Sequence, residues 1–485
     1  MSTDTEHLGQ TEQVTESDNG LLVVSSSRYL GRHSAEAFPR VLGLQFQAQV
    51  LPRLQPFAWN LEVRETPPCK VKGAICSLIT LEATQKQLRS FFFSDFPACG
   101  FLDLQDLTAR CEKHWLGHDQ GLPFEALISG VIGLASVLDN AINVQQEADI
   151  IQHAENILND PVILSEPHVE VLAAIVLRVL YLRATTTPHV TWLLSCTAMH
   201  MAESLGLHKD YESNVGKHHN TANQWDNDAI SCMFWIICAG NRLVSHELGR
   251  SPVVLHGVTQ KFPFSPSDTD GAAILCRLGC LLPVIDAADG DQERSKQSLD
   301  IIAKAAGGHP FIKLIAADVC FCLYRRIHVG SHGITKEQSQ QVVLIGRAAV
   351  KAANQLLHKG RPWWNMLGTL FQFCCVLISM DSLDSLADLR YAMKTINLIQ
   401  DRYPGEKKAQ ALSTLKALIM ASKQRKQTQI AYLSAVDEPE EACVNIHDDF
   451  SQSPTDLTFP ELPFDITSWG MEDLDWMAVE APLGL

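Results

Sequence analysis

A chain of 485 residues, 46% apolar and 19% charged with a mean hydropathy of zero, can bury a large core, which excludes a mini-protein scaffold and a wholly disordered chain. Its net charge of -16 sits at the ends: residues 1–20 carry five acids and residues 427–485 thirteen, neither with a Lys or Arg, and 37 acids face 39 bases between them. No block of cations is present to neutralise phosphates, so direct sequence-specific DNA binding is not expected.

The fourteen cysteines fall among apolar neighbours (Cys232, Cys238, Cys320, Cys322, Cys374, Cys375), as buried thiols in a reducing compartment do. The opening MSTDTEHLGQTEQ has neither the basic nor the apolar part of a signal peptide. The apolar runs at 171–182 and 370–380 are shorter than the ~18 residues a membrane span needs. The chain therefore reads as intracellular and soluble, with no membrane partner.

In chain order, residues 1–20 are polar and aperiodic and read as a disordered leader. Residues 21–85 form a poorly defined segment, with strand-like runs at Leu21 to Val24 and Leu44 to Val50 and breaks at Pro52, Pro56, Pro67 and Pro68. From 86 the pattern turns helical. Phe124, Leu127, Ile128, Val131, Ala135, Leu138 and Ile142 step by three and four, and the same period predicts helices at 168–184, 190–205, 226–248, 311–327, 337–358, 364–380, 383–402 and 406–433. Gly206 suits a left-handed helix cap, and Asp226 or Asn227 can open the helix that follows. The segment 261–300 reads as a partly helical connection. No fixed-period repeat is present. The fold class is all-α, with a helical body at 86–435 and an acidic, aromatic tail at 436–485.

Enzyme motifs are missing: there is no phosphate-binding glycine loop, no G-x-S-x-G and no D-D-x-x-D. His246-Glu247 begins like a zinc-protease motif, but Arg250 stands at the next ligand position. Cys320 and Cys322 lie about 200° apart on a helix, too far round to share one ion with His328 and His332. Asp286, Asp289 and Asp291 lack the spacing and closing Glu of a calcium loop. No catalytic residue, metal site or cofactor is expected.

Two stretches carry family information, TWLLSCTAMHMAESLGLHKD at 191–210 and MFWIICAGNRLVSHELGRSPVVL at 233–255. Both resemble signatures of the fungal-specific transcription factor domain, the helical regulatory region downstream of binuclear zinc clusters. The matching residues are Leu205, Gly206, Leu207, His208, Lys209 and Asp210, then Phe234, Trp235, Arg242, Ser245, Leu248, Gly249 and Arg250. The segments 91–117 and 361–380 are similar to its opening and its late helix, so the resemblance covers about 90–420. Asn241 departs from the family's usual Asp, and Ser251 delays the proline to Pro252. Residues 1–68 contain no cysteine, and Cys69 with Cys76 cannot build a six-thiolate zinc cluster. Helical spacing reads the signature residues as core and corner rather than as a ligand box. Arg242 and His246 share a face, and Glu247 can pair with Arg250 three residues on.

In the tail, thirteen acids are interleaved with Phe450, Phe459, Phe464, Trp469, Leu474 and Trp476. Acids keep such a segment solvated while its aromatics stay available to a coactivator groove. The resemblance and the tail together imply a nuclear (or cytoplasmic) transcriptional regulator without its own DNA reader, recruited by a DNA-bound transcription factor and contacting coactivator proteins, with a biosynthetic gene cluster among its implied targets. The alternative is an all-helical pathway enzyme or metabolite-binding module that reuses the fold. Target genes, activation versus repression, and homo- or hetero-oligomerisation stay open at this level.

Overall fold

The computed structural model describes residues 14–17, 20–23, 28–31, 34, 37–47, 71, 73–94, 97–139, 142–165, 168–186, 188–210, 225–264, 270–282, 292–329, 334–361 and 363–436. Of the expected tail at 436–485, residues 437–485, with all six aromatic and leucine candidates, lie outside them. The described chain is helical apart from an antiparallel meander of β1 (Val14–Ser17), β2 (Gly20–Val23) and β3 (Arg28–Gly31), in register Val14 to Val23 and Leu22 to Tyr29. These strands take in the end of the expected leader. Of the run Leu44 to Val50, Leu44 and Gln45 end α1 (Phe38–Gln45), residues 46–47 form a turn, and residues 48–50 lie outside the described residues.

Helices begin in earnest at α2 (Leu81–Phe93), five residues before the periodicity becomes clear, because Thr80 accepts the Ala83 N–H and opens the helix there. The same device starts α3 (Leu104–Trp115) at Asp103 and α5 (Val144–Leu158) at Asn143, on either side of α4 (Leu122–Asp139). After the short α6 (Pro161–Ser165) come α7 (Val169–Thr185) and α8 (Pro188–Ser204). Asp226 caps α9 (Asn227–Glu247) and Asp270 caps α10 (Gly271–Leu281), which places true helices in the segment expected as a connection, together with α11 (Gln292–Ala305). Then follow α12 (Pro310–Val329), α13 (Lys336–His358) behind a Thr335/Gln338 capping box, α14 (Asn365–Met380), α15 (Leu383–Arg402) and α16 (Glu406–Val436).

The chain divides into a compact unit, Met1–Ile419, and a second unit, Met420–Leu485. Within the first, packing runs as a relay: α4 lies against α2, α5 and α7, α7 against α8, α8 against α9, and α9 against α10 and α12. Beyond that, α12 packs on α13 and α14, and α13 and α14 on α15. Helix α4 is long and apolar enough to cross a membrane, yet most of it is buried inside the bundle, where Gly130 lets Leu177 close in and Gly133 admits Ile151. Glu125 on α4 accepts hydrogen bonds from the Ile75 N–H (2.8 Å) and His153 Nε2 (2.6 Å), and so ties a 3-10 turn (Ile75–Ser77) and α5 to the core. Burial pushes this carboxyl's pKa up, but those hydrogen bonds outweigh it and hold the group below its ordinary value.

One glycine sets the α9–α10 contact, and a second, on α9, serves as its control. A Cβ on Gly279 would lie 2.6 Å from the Ala239 Cα, a backbone atom that cannot turn aside, whereas a Cβ on Gly240 meets nothing within 4 Å. Gly279→Ala should destabilise the protein by ~1–3 kcal/mol through overpacking. Gly240→Ala should be neutral or stabilise by up to ~1 kcal/mol through helix propensity. Urea midpoints of the two variants check both signs.

Candidate functional site

The first signature stretch forms the end of α8. Gly206 takes φ 73°, its N–H donates to the Glu203 carbonyl (2.8 Å), and the Leu207 N–H reaches the Ala202 carbonyl (2.9 Å). This pair of bonds is a Schellman cap, and Leu205 and Leu207 are buried beside it. The chain then turns so that the His208 carbonyl accepts the N–H groups of Thr259 (2.9 Å) and Gln260 (3.1 Å). Lys209 Nζ donates to the Gly257 carbonyl (2.7 Å), and Asp210 pairs with Lys261 (3.0 Å). The corner is thus clipped to residues 257–261 by backbone and side chain together.

The second stretch ends α9 in the same way. Gly249 has φ 62°, the Arg250 N–H donates to the Ser245 carbonyl (2.8 Å) and the Gly249 N–H to that of His246 (3.3 Å). Both glycines in the motifs are therefore helix stops. Phe234 and Ser245 are fully buried, whereas Trp235 and Leu248, expected as core, are only partly covered. The Trp235 indole N–H donates to the Lys261 carbonyl (2.9 Å) and its ring packs edge-on to Phe262, so one face stays at the surface. Arg242 reaches Cys280 on α10.

Glu247 and Arg250, expected to pair with each other, turn to different helices. Glu247 accepts from Arg183 on α7, while Arg250 donates to His189 Nδ1 (2.6 Å) and lies 4.7 Å over the Trp192 ring on α8. Both new partners are more than sixty residues away. Trp192 in turn donates to Ser245 Oγ (3.1 Å). Asn241, at the position where an Asp was expected by resemblance, is 1% exposed. Its Nδ2 donates to Ser195 Oγ (3.0 Å) and its Oδ1 accepts the Val253 N–H (2.8 Å). A neutral amide can do both, whereas a carboxylate can only accept.

Beside this clamp α7, α8, α9, α10, α12 and α14 line a partly open cavity of about 110 Å³. Its wall is mainly hydrocarbon, with Asp318 of α12 and Asn365 of α14 among the polar exceptions. Nothing in the local sequence marks it, because its residues come from six helices. Cys320 and Cys322 are separate buried thiols of α12, and His328 stacks on Tyr324. Burial pushes the Cys232, Cys238 and Cys374 thiols up to about 12 and keeps them protonated. His332, Asp286, Asp289, Asp291 and Cys69 lie outside the described residues. One His/acid group, His114, Asp119 and Glu125, is close enough to share an ion. His114 Nδ1, however, already accepts the Gln120 N–H (3.1 Å), and Glu125 is engaged by His153 and Ile75.

Comparison with known proteins agrees with this geometry. The family model for the fungal specific transcription factor domain matches residues 89–272, which contain both Schellman corners. Protein RDR1 of Saccharomyces cerevisiae is 34% identical over 430 residues, 87% of this chain and 78% of that protein. Transcription factor kojR of Aspergillus oryzae is 25% identical over 460 residues, 94% of this chain and 82% of the relative. A probable transcriptional repressor of Schizosaccharomyces pombe, C1348.12, is 33% identical over 76 residues, 15% of this chain and 19% of that protein. No solved structure matches the chain.

His208 offers a pH test of the first corner. Its ring is 1% exposed and edge-on to Tyr29 of β3 at 4.9 Å. Burial, with Lys209 adjacent, pulls its pKa from 6.5 down to about 4. The folded state therefore holds a neutral ring that the unfolded chain would protonate first. Its contribution is fully present above pH 6.5 and is lost as pH falls towards 4, by ~3 kcal/mol at most. Urea unfolding at pH 7 and pH 5 should show a larger loss for the parent than for His208→Gln. Equal losses would mean that the ring is not held neutral.

Proposed function

The chain belongs to the fungal-specific transcription factor domain family, and on that premise we propose that it is a nuclear transcriptional regulator brought to its genes by a DNA-bound transcription factor. The observation that carries the reading is the pairing of two signature corners, built as helix stops around a buried clamp, with 485 residues that contain no six-cysteine zinc cluster. With 37 acids against 39 bases over residues 21–426, the body has almost no net positive charge to draw it to phosphates. Partner choice lies on the helical body, and the acidic tail contacts coactivators through Phe464, Trp469 and Trp476. We extend the reading to one biosynthetic gene cluster as the target. Transcripts lost on gene deletion should then map to contiguous genes, and scattered losses would count against it.

Two measurements test the recruitment itself. Purified protein should give no mobility shift on promoter DNA alone and should contain no stoichiometric zinc. A defined footprint without a partner would overturn the reading. Residues 437–485 fused to an unrelated DNA-binding domain should activate a reporter, because burying aromatics in a coactivator groove yields ~25 cal/mol per Å² while the acids act collectively. Phe464, Trp469 and Trp476 changed together to Ala should abolish that activity, and single acid-to-amide changes should be mild. A silent fusion would assign the tail a purely solubilising role.

A further inference from the structure

The cavity beside the Asn241 clamp has an unbalanced polar end. Asp318 accepts hydrogen bonds from Thr369 Oγ1 (2.6 Å) and Asn365 Nδ2 (3.2 Å), both neutral groups. Among the described residues no Lys, Arg or His side chain lies within ion-pair distance of it. The two arginines in the wall are engaged elsewhere, Arg183 with Glu247 and Arg325 with Gln372 Oε1 (2.8 Å). Two residues of the wall, Asn365 and Thr191, also keep a buried side-chain oxygen (Oδ1 and Oγ1) with no hydrogen-bond partner. Asn365 is 3% exposed and Thr191 fully buried. Ser195, Asn241, His246 and Glu247 also line the space, and most of the remaining wall is hydrocarbon, with Val176, Ile237, Val244 and Ile315 among it. The cavity thus offers a carboxylate hydrogen-bonded only by neutral groups, with no ion-pair partner in contact, at the edge of a hydrocarbon pocket.

We propose that this cavity binds a small lipophilic amine, its ammonium group received by Asp318 and its hydrocarbon part packed between α7, α9 and α12. The polarity favours this class: an anionic ligand would meet Asp318 and Glu247 while the wall's two arginines are already held by Glu247 and Gln372, and a pure hydrocarbon would leave Asp318 without a charged partner. Burial and the nearby Glu247 raise the Asp318 carboxyl to about 7, so an arriving cation needs only a modest shift to hold it ionised. The size limits the ligand as well: a dry apolar cavity of ~150 Å³ takes up a benzene ring, so about 110 Å³ holds most of one ring and leaves the rest of a small amine in the open part of the site. The inference stands apart from the recruitment reading, since it requires only the folded body.

Calorimetric titration of the full chain at pH 7 with 2-phenylethylamine, n-propylbenzene and phenylacetate tests it. The amine should bind one to one and at least tenfold more tightly than its neutral isostere, with phenylacetate weakest. Asp318→Asn, which keeps the size of the side chain, should erase the amine's advantage, and Ile237→Trp should fill the space and abolish binding of both neutral and cationic probes. Should either variant fail to fold by circular dichroism, the amine-to-isostere ratio on the parent protein decides alone. A ratio near one, absence of saturable amine binding, or an undiminished ratio in folded Asp318→Asn overturns the proposal.

Discussion

The buried amide of Asn241 is the interaction around which the body is arranged. It is sealed from water in the middle of α9, and its two ends join α8, through Ser195, to the chain after the helix, through Val253. Leaving either buried partner unmet costs ~1–3 kcal/mol, so the backbone beyond Gly249 has to return to one place. That return carries Phe262 under Trp235 and brings residues 257–261 against the His208 corner. Helix α9 is also the element that packs on both α8 and α12, so a fixed α9 relates the early helices to the late ones.

The two Schellman caps complete the constraint. Each glycine ends its helix sharply, and each following residue is used at once: His208 is buried with its carbonyl doubly bonded, and Arg250 lies across Trp192. Charges at this junction pair between helices rather than along them, Arg183 with Glu247 and Arg250 with His189. The cavity lies where these helices diverge. Its hydrocarbon wall is the ordinary inner surface of amphipathic helices, and its polar end is the one part that packing does not account for.

Much of this was legible in the sequence, for reasons particular residues make plain. Helices α4, α7, α8, α9 and α12 to α16 announce themselves by three-four spacing, and Asp226 and Gly206 act as the cap and the stop their chemistry suggests. Helices α2, α10 and α11 were harder. The apolar residues of α10 run nearly all round, from Ala272 to Leu281, and side-chain caps at Thr80 and Asp270 start α2 and α10 where periodicity is weak. The site was less legible than the fold. A motif reading pairs Glu247 with its near neighbour Arg250, but i,i+3 proximity is worth only ~0.2–0.5 kcal/mol, and partners from α7 and α8 win. Asp318 carries no local signal at all: it lies within an apolar helix, and its meaning comes from Asn365 and Thr369 about fifty residues away.

If the Asn241 clamp relates the two sets of helices, its loss should be felt far from α9. Native-state hydrogen exchange on the parent and on Asn241→Ala, which leaves the Val253 N–H unmet and removes the bond from α9 to Ser195 Oγ, measures this directly. Protection should fall together in α8, α9, α12 and α14, by a similar free energy in each, since these elements open as one cooperative unit. A loss confined to the end of α8 and residues 249–255, with α12 and α14 exchanging as in the parent, would contradict the account.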